Sequence, residues 1–297
     1  MATSEVRIDA LLPAEMARRA EYLGERKAQM PFLQMFTLSI LAGAFIALGA
    51  VFATTISAGS MAVKNAADAS TAFTTGLPYG VTRLLAGLVF SVGLILVVVG
   101  GAELFTGNTL IVMAWANKKV TSAQLLRNWA IVYLGNFVGA IGTAIMVFLS
   151  RQYTFGSNAV GITAINIASS KVHLGFVQAI ALGILCNALV CLAVWMTYSA
   201  RSTLDKIAAI IFPISAFVAA GFEHSIANMY FVPIGLLIKD FDPQFIQAIA
   251  SAGVNLDGLT WGSFLINNLL PVTIGNIIGG AVLVAAVYWS VFLRNRD

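Results

Sequence analysis

Six long apolar stretches dominate the chain and are separated by shorter polar segments. They lie at about 32–58, 80–116, 128–150, 174–199, 207–238 and 263–293. A helix needs about 20 apolar residues to cross the hydrocarbon core of a bilayer, so each stretch predicts a transmembrane helix. Residues 13–28 show a different pattern, with apolar and charged positions on opposite helical faces and Pro13 in the first turn. This pattern predicts an amphipathic helix that precedes the first span.

Two of the six stretches are too long for one crossing. As a single helix, the run 207–238 would measure about 48 Å, against about 30 Å for the hydrocarbon core. The run 84–116 has the same excess. Helix-breaking residues interrupt both runs: Gly100 and Gly101 in the first, and Pro213, Gly221 and Pro233 in the second. We therefore predict that spans two and five are broken inside the membrane.

The two interruptions carry the same motif. "GAELFTGN" (101–108) and "GFEHSIAN" (221–228) both fit G-x-E-x-x-x-x-N. One helix later, "YLGNFVGA" (133–140) in span three matches "TIGNIIGGA" (273–281) in span six. The chain therefore reads as a duplicated unit of three helices, and because three is odd the second copy lies inverted in the membrane. Inverted repeats with broken helices place a solute site near the midplane, where the breaks meet.

The predicted fold is an all-α integral membrane protein with six transmembrane helices in a 3+3 inverted repeat. We expect a cytoplasmic amino-terminal segment at 1–31, a six-helix domain at 32–293 and a cytoplasmic tail at 294–297. Within the domain, repeat one covers about 32–150 and repeat two about 174–293. The alternative is a packed bundle with kinked helices, which does not require two buried carboxylates.

Composition and charge support a membrane protein and indicate its orientation. Of the residues, 59% are hydrophobic and 10% charged, whereas a soluble domain carries roughly 25% charged residues. Twelve of the 17 basic residues fall on one side of the predicted spans, which places both termini in the cytoplasm. The net charge of +4 is therefore a topology signal, and no nucleic-acid partner is predicted. These twelve are Arg7, Arg18, Arg19, Arg26, Lys27, Lys118, Lys119, Arg127, Arg201, Lys206, Arg294 and Arg296.

Ionisable residues inside predicted spans are the main functional candidates, because a buried charge is costly unless it has a role. Glu103 and Glu223 lie in the two breaks, and we predict that they bind backbone N–H groups freed there. Asn108 and Asn228 complete the two motifs. His224 is adjacent to Glu223, so the two side chains point about 100° apart on a regular helix. The charge of His224 is sensitive to its environment, so His224 could attract an anion or protonate it. The alternative is that His224 only packs in the core.

The remaining polar groups narrow the chemistry. Asn136 and Asn276 lie in the two shared glycine motifs; we expect Asn136 to be structural and Asn276 to face the pore. The small residues four apart in those motifs allow close helix packing. Cys186 and Cys191 lie five apart on one predicted helix and match no metal spacing, so both are assigned to packing. No metal, cofactor or catalytic residue is predicted, and no phosphate-binding glycine loop indicates an ATP-driven pump.

Four segments together make the chain resemble the formate/nitrite transporter family, and most closely its formate channels. They are "GAELFTGN", "CLAVWMTYSARS", "GFEHSIANM" and "PVTIGNIIGG". The resemblance runs from about "LLPAEMA" to "YWSVFLR". It implies an aquaporin-like fold, a homopentamer with one anion pore in each protomer, and an amino-terminal helix that gates the pore. It also implies a cell membrane, in bacteria the inner membrane.

The resemblance also implies roles for individual residues. His224 corresponds to a central pore histidine with Thr106 and Asn276 as polar neighbours. Asn187 corresponds to a pore-lining group and Lys171 to a vestibule residue that attracts anions. Glu103, Glu223, Asn108 and Asn228 support the breaks. The implied constrictions comprise Phe90 and Phe217 on the outer side, and Leu94, Leu104, Phe105 and Val190 on the inner side.

The expected function is a channel or proton-linked transporter for small monovalent anions, with formate first. Nitrite is the alternative, because the first break reads Leu-Phe-Thr-Gly-Asn where formate channels usually have Leu-Phe-Thr-Ser. Hydrosulfide and bicarbonate stay open, and a membrane scaffold or redox subunit is the alternative outside transport. The expected partners are the anion, protons, the lipid bilayer and further copies of the chain. The outer loop 59–79 has no assigned role.

Overall fold

The computed structural model describes residues 10–59, 62–64, 71–74 and 77–294. Most of them are helical. In chain order the helices are α1 (Pro13–Ala28), α2 (Phe32–Ala58), α3 (Tyr79–Gly100), α4 (Phe105–Ala116), α5 (Ser122–Leu149), α6 (Ala159–Val172), α7 (Phe176–Thr197), α8 (Thr203–Ala220), α9 (Ser225–Phe241), α10 (Pro243–Ala248) and α11 (Trp261–Phe292). A 3₁₀ turn lies inside α4 at Thr109–Ile111, and α11 is π-helical at Phe264–Leu269 and Ile278–Ala286.

Six of these helices are long and apolar enough to cross a membrane: α2, α3, α5, α7, α8 and α11. This confirms the predicted number of spans. The loop 59–79 contains an antiparallel pair of short strands, β1 (Ala62–Lys64) and β2 (Thr71–Thr74). Parts of that loop, the first nine residues and the end of the tail from residue 295 lie outside the described residues.

Both predicted breaks are present, and each begins at a glycine. α3 ends where Gly101 adopts a φ of 72°, and α8 ends where Gly221 adopts a φ of 78°. Glycine reaches this left-handed region without the steric cost that a Cβ atom imposes. Three non-helical residues follow each glycine before α4 and α9 begin, and the last of them, Leu104 or His224, is extended. Spans two and five are therefore each two half-helices, as the sequence predicts.

The shared glycine motifs bring helices into close contact in both halves. In α5, a Cβ atom on Gly139 would lie 2.0 Å from the carbonyl oxygen of Ile40 in α2. In α11, a Cβ atom on Gly279 would lie 2.2 Å from the carbonyl oxygen of Ile184 in α7. No larger side chain fits at either position. The α2–α5 and α7–α11 pairs are therefore equivalent contacts, and the predicted close packing is confirmed.

The short helices α1 and α6 are also equivalent. Each ends just before a long apolar helix, and each carries a lysine, Lys27 or Lys171, in its last turn. We predicted α1 but not α6. The apolar face of α1 packs on α4, where its Gly24 lies against Ile111 and Ala114. The related elements thus begin at α1 and α6, upstream of the positions 32 and 174 at which we began the repeats.

Candidate functional site

A polar network holds the first break. The peptide N–H of Glu103 donates to the carbonyl oxygen of Leu38 (3.2 Å). The Glu103 carboxylate accepts from the Lys27 ammonium (2.8 Å) and from the Asn108 amide (2.7 Å). Asn128 closes the network, because its Oδ1 accepts from Asn108 (3.0 Å) and its Nδ2 donates to the Lys27 carbonyl oxygen (3.0 Å). One buried carboxylate thereby connects α1, α2, α4 and α5.

The second break has the same network, residue for residue. The peptide N–H of Glu223 donates to the carbonyl oxygen of Leu182 (3.3 Å). The Glu223 carboxylate accepts from the Lys171 ammonium and from the Asn228 amide, both at 2.7 Å. The Oδ1 of Asn268 accepts from Asn228 (2.8 Å), and its Nδ2 donates to the Lys171 carbonyl oxygen (3.0 Å). Here the carboxylate connects α6, α7, α9 and α11.

The break in each span is also bridged by one asparagine. Asn136 accepts from the peptide N–H of Phe105 (2.9 Å) and donates to the carbonyl oxygens of Glu103 (2.9 Å) and Ser39 (2.7 Å). Asn276 accepts from the N–H of Ser225 (2.9 Å) and donates to the carbonyls of Glu223 (2.9 Å) and Gly183 (2.8 Å). Both side chains are fully buried. Asn276, expected at the pore, therefore makes the same contacts as Asn136.

The glutamates differ in one respect from our expectation. We expected their carboxylates to bind backbone N–H groups freed by the breaks. Instead they bind lysine and asparagine side chains, and Asn136 and Asn276 take up peptide N–H groups at the breaks. The physical reason is charge. Glu103 and Glu223 are only 3% and 5% exposed, and a carboxylate buried this deeply is stable only beside a cation. The neutral peptide groups need only a neutral amide.

His224 begins α9 and contacts the first half of the chain. Its Nδ1 accepts from the peptide N–H of Ala227 (3.1 Å), which makes it the N-cap of the helix. Its Nε2 lies 3.0 Å from the hydroxyl oxygen of Thr106 in α4. Because Nδ1 accepts a hydrogen bond, the neutral ring carries its proton on Nε2 and donates it to Thr106. The His224 ring also stacks on Phe217, with centroids 6.0 Å apart.

Further polar side chains donate to the carbonyl oxygen of Thr106. Asn187 in α7 donates to the carbonyl oxygens of Thr106 (3.2 Å) and Asn276 (2.6 Å). Thr109 donates to the same Thr106 carbonyl (2.7 Å), and its hydroxyl lies 3.2 Å from the Cys191 sulfur. The Oδ1 of Asn187 has no hydrogen-bond partner among the described residues. Thr109 and Cys191 were not among the predicted site residues.

Two cavities approach the His224–Thr106 contact from opposite sides. The Lys171 cavity, of about 280 Å³, is lined by Lys171, Glu223, Asn228, Phe90, Phe217 and His224, among others. The Lys27 cavity, of about 300 Å³, is lined by Lys27, Glu103, Asn108, Leu94 and Leu104, among others. Phe90 and Leu94 are one helical turn apart on α3, a rise of about 6 Å. The two cavities are therefore separated by roughly one turn of α3.

Five predicted site residues line neither cavity, and four of them are polar or small side chains at the centre of the molecule. These four are Thr106, Asn187, Asn276 and Val190, all almost fully buried. Phe105 is likewise outside both linings, because its ring packs on Tyr133 (centroids 4.9 Å apart) and Trp129 (6.1 Å). Only Thr106 among these five touches His224 directly. The structure thus collects Lys171, Phe90, Phe217 and His224 on one side, and Leu94 and Leu104 on the other.

Sequence reasoning missed three members of the networks: Lys27, Asn128 and Asn268. A signal for each is present in the repeat. "KAQMPF" (27–32) parallels "KVHLGF" (171–176), with the lysine five residues before the first residue of an apolar helix. Asn128 and Asn268 each lie eight residues before the asparagine of the shared glycine motif. Comparing the two halves over their full length would have found all three.

This arrangement defines a class of protein. Six membrane spans with two opposed breaks, and a polar contact sealed between two cavities, are the architecture of a membrane channel or transporter. A sequence profile described as formate/nitrite transporter matches residues 14–290. The chain belongs to the formate/nitrite transporter family. The resemblance drawn from the sequence is confirmed, and this is a family of multi-pass transport proteins, not of enzymes.

Curated relatives and solved structures agree with this assignment. The chain is 46% identical to the formate channel FocA of Escherichia coli (strain K12) over 290 residues, which is 97% of each chain. It is 38% identical to a probable formate transporter of Methanothermobacter thermautotrophicus, over 95% of this chain and 97% of the other. Among solved structures, a pentameric formate channel with formate bound matches with a TM-score of 0.77 at 44% identity. That match covers 89% of this chain and 98% of the other.

Proposed function

We propose that this protein is a membrane channel for small monovalent anions, with formate as its main substrate. The observation that carries the proposal is the contact of His224 with Thr106. This contact holds a hydrogen-bond donor, the Nε2–H group of His224, at the junction of two cavities. The 46% identity to a formate channel over 97% of the chain supports formate as the anion. Nitrite is the competing substrate, since Gly107 stands in the first break where formate channels usually carry serine.

In this proposal the anion passes between two apolar constrictions. Phe90 and Phe217 form the first, with ring centroids 5.7 Å apart in an edge-to-face arrangement. Leu94 and Leu104 form the second, and Phe105 and Val190 support it from behind. Such constrictions exclude hydrated ions, because an ion loses its hydration shell there. A donor placed between them replaces part of that shell.

The hydrogen bonds of His224 favour one of its two expected roles. Attraction of the anion needs only the Nε2–H group, which already points to Thr106 and can turn to an anion. Protonation of the anion needs an imidazolium, and an imidazolium would lose the bond from the Ala227 N–H to Nδ1. We therefore propose that His224 acts first as a neutral hydrogen-bond donor. Proton-linked transport requires that His224 be released from its N-cap position.

We further propose a homopentamer with both termini in the cytoplasm. The pentameric state is that of the solved formate channel at 44% identity, and the orientation follows from the distribution of basic residues. The Lys171 cavity then opens outside the cell and the Lys27 cavity inside. α1 covers the Lys27 cavity with Arg19, Leu23 and Lys27, so movement of this helix would open or close the inner mouth.

A flux panel tests the proposed function. The purified protein in liposomes is assayed with formate, nitrite, bicarbonate and hydrosulfide at two pH values. Formate is expected to cross fastest, and His224→Phe is expected to change its flux while the oligomer stays intact. Flux of none of the four anions would overturn transport and favour a scaffold or redox role. Unchanged flux in His224→Phe would remove the role assigned to this residue.

A further inference from the structure

The net positive charge of the Lys171 cavity does not come from its lysine. The Lys171 ammonium lies 2.7 Å from the Glu223 carboxylate, and both side chains are largely buried. Their charges therefore cancel over distances larger than their separation. Among the described residues that line this cavity, the charged ones are Lys171, Glu223 and Arg83. Two cations and one carboxylate leave one net positive charge, and Arg83 supplies it.

Arg83 is held at the edge of the break by peptide carbonyl groups. It lies in the second turn of α3, and its guanidinium donates to the carbonyl oxygens of Ala219 (3.3 Å) and Val218 at the end of α8. Among the described residues no carboxylate lies within 4.0 Å of it. These carbonyls carry only the partial negative charge of a helix C-terminus. Within the described part of the chain, most of the Arg83 charge is therefore left uncompensated.

The opposite cavity has a cation in a related place. Lys206 lies in the first turn of α8 and lines the Lys27 cavity together with Gly101, the residue at the end of α3. Arg83 lines the Lys171 cavity together with Gly221, the residue at the end of α8. Each cavity lining therefore combines a cation from the early turns of one broken span with the glycine at the break of the other. The two cations are not at equivalent positions of the repeat, because Arg83 lies 18 residues before Gly101 and Lys206 lies 15 residues before Gly221.

We propose that Arg83 is the residue that concentrates anions in the Lys171 cavity, and that it sets the affinity of this cavity for the transported anion. This inference rests on the proposed function as an anion channel. A cleft with low-dielectric walls focuses the field of an unpaired charge and raises the local concentration of counter-ions. The Lys171–Glu223 pair positions the break, and its field is dipolar and short-ranged. Arg83 is a positioning and specificity residue of the pore entrance.

The electrostatic part is tested without transport. Ser170 lines the same cavity and is exposed, and the native Cys186 and Cys191 are buried. In Ser170→Cys, we measure the modification rates by an anionic and a cationic methanethiosulfonate reagent at low ionic strength. Adding Arg83→Gln is expected to lower the anionic-to-cationic rate ratio by about three- to tenfold. Adding Arg83→Lys, which keeps the charge, is expected to leave it within about twofold. An unchanged ratio in Arg83→Gln overturns the proposal.

The transport part is tested by uptake from the Lys171 side. With the fastest anion of the flux panel, Arg83→Gln is expected to raise the half-saturating concentration about three- to tenfold at low salt. The difference is expected to shrink at 0.3 M salt, where screening acts within about 6 Å. Lys206→Gln is the matched control and is expected to affect uptake from the opposite side. If Arg83→Gln and Arg83→Lys lose uptake and Tm equally at both salt concentrations, Arg83 only caps α8. Absence of flux in the wild-type protein overturns the proposed function instead, and the modification rates still decide the role of Arg83.

Discussion

The two broken spans share their support and differ in the side chain that faces the junction. Lysine, glutamate and three asparagines occupy equivalent positions in both halves and share most of their hydrogen bonds. At the first helical boundary after the break, the first half has Leu104 and the second has His224. Two residues further on, the first half has Thr106 and the second has Ile226. Both halves thus share the supporting network. The donor, His224, lies in the second half, and its acceptor, Thr106, lies in the first.

The lysines of the two networks also differ. Lys27 donates to both Glu103 (2.8 Å) and Asn108 (3.0 Å). Lys171 donates to Glu223 alone, faces the ring of Phe231 at 5.3 Å, and leaves the Oδ1 of Asn228 without a partner among the described residues. Lys171 thus keeps more of its donors for a ligand. The two lysines therefore differ in the number of side-chain acceptors that they satisfy among the described residues, two for Lys27 and one for Lys171.

The largest expected effect comes from removing either buried carboxylate. Glu223→Ala and Glu103→Ala each leave a lysine and an asparagine without their acceptor. Breaking a buried ion pair costs about 3–5 kcal/mol, so both variants should unfold at clearly lower temperature in detergent. Glu223→Ala should be the worse of the two, because the Lys171 side chain is 13% exposed and that of Lys27 29%.

Glutamine at the same positions is the matched control, since it keeps the shape and one acceptor oxygen. Glu223→Gln and Glu103→Gln should lose less stability than the alanine variants. If one of the two alanine variants kept the wild-type melting temperature and the other did not, the two networks would not be equivalent supports.

The next effect concerns Asn276, which we expected at the pore and which makes the contacts of Asn136. Asn136→Ala and Asn276→Ala each leave two peptide groups at a break, and one carbonyl group of a neighbouring helix, without their side-chain partner. An unsatisfied buried polar group costs about 1–3 kcal/mol, so both variants should lose stability by similar amounts in thermal unfolding. If Asn276→Ala keeps its stability and changes which anion passes, Asn276 is a pore residue after all.

Much of this architecture was predictable because it depends on periodicity and repetition. The six spans, both breaks and the amphipathic α1 follow from apolar run length, glycine position and helical pattern. The partners of Glu103 and Glu223 were not predictable in the same way. Lys27 precedes Glu103 by 76 residues and Lys171 precedes Glu223 by 52, so no local pattern joins them. Whether an asparagine such as Asn276 faces a pore or a peptide group is decided by side-chain direction after folding.

The smallest expected effect tests the hydrogen bond between His224 and Thr106, which joins the two halves at the junction. Thr106→Val removes the acceptor of the His224 Nε2–H group and keeps the volume, so the free ring proton is unsatisfied whenever no anion is present. We expect anion flux to change by a few-fold, with a loss of about 1 kcal/mol in stability.

Thr106→Ser keeps the hydroxyl group and should behave like the wild type in the same flux assay. The tautomer supplies a second readout, because ¹⁵N chemical shifts of the His224 ring distinguish Nε2–H from Nδ1–H. In Thr106→Val the proton should stay on Nε2, since the Ala227 N–H still occupies Nδ1. A shift of the proton to Nδ1 would show that Thr106, and not the N-cap of α9, sets the tautomer. In that case the donor that meets the anion would depend on the first half of the chain as much as on the second.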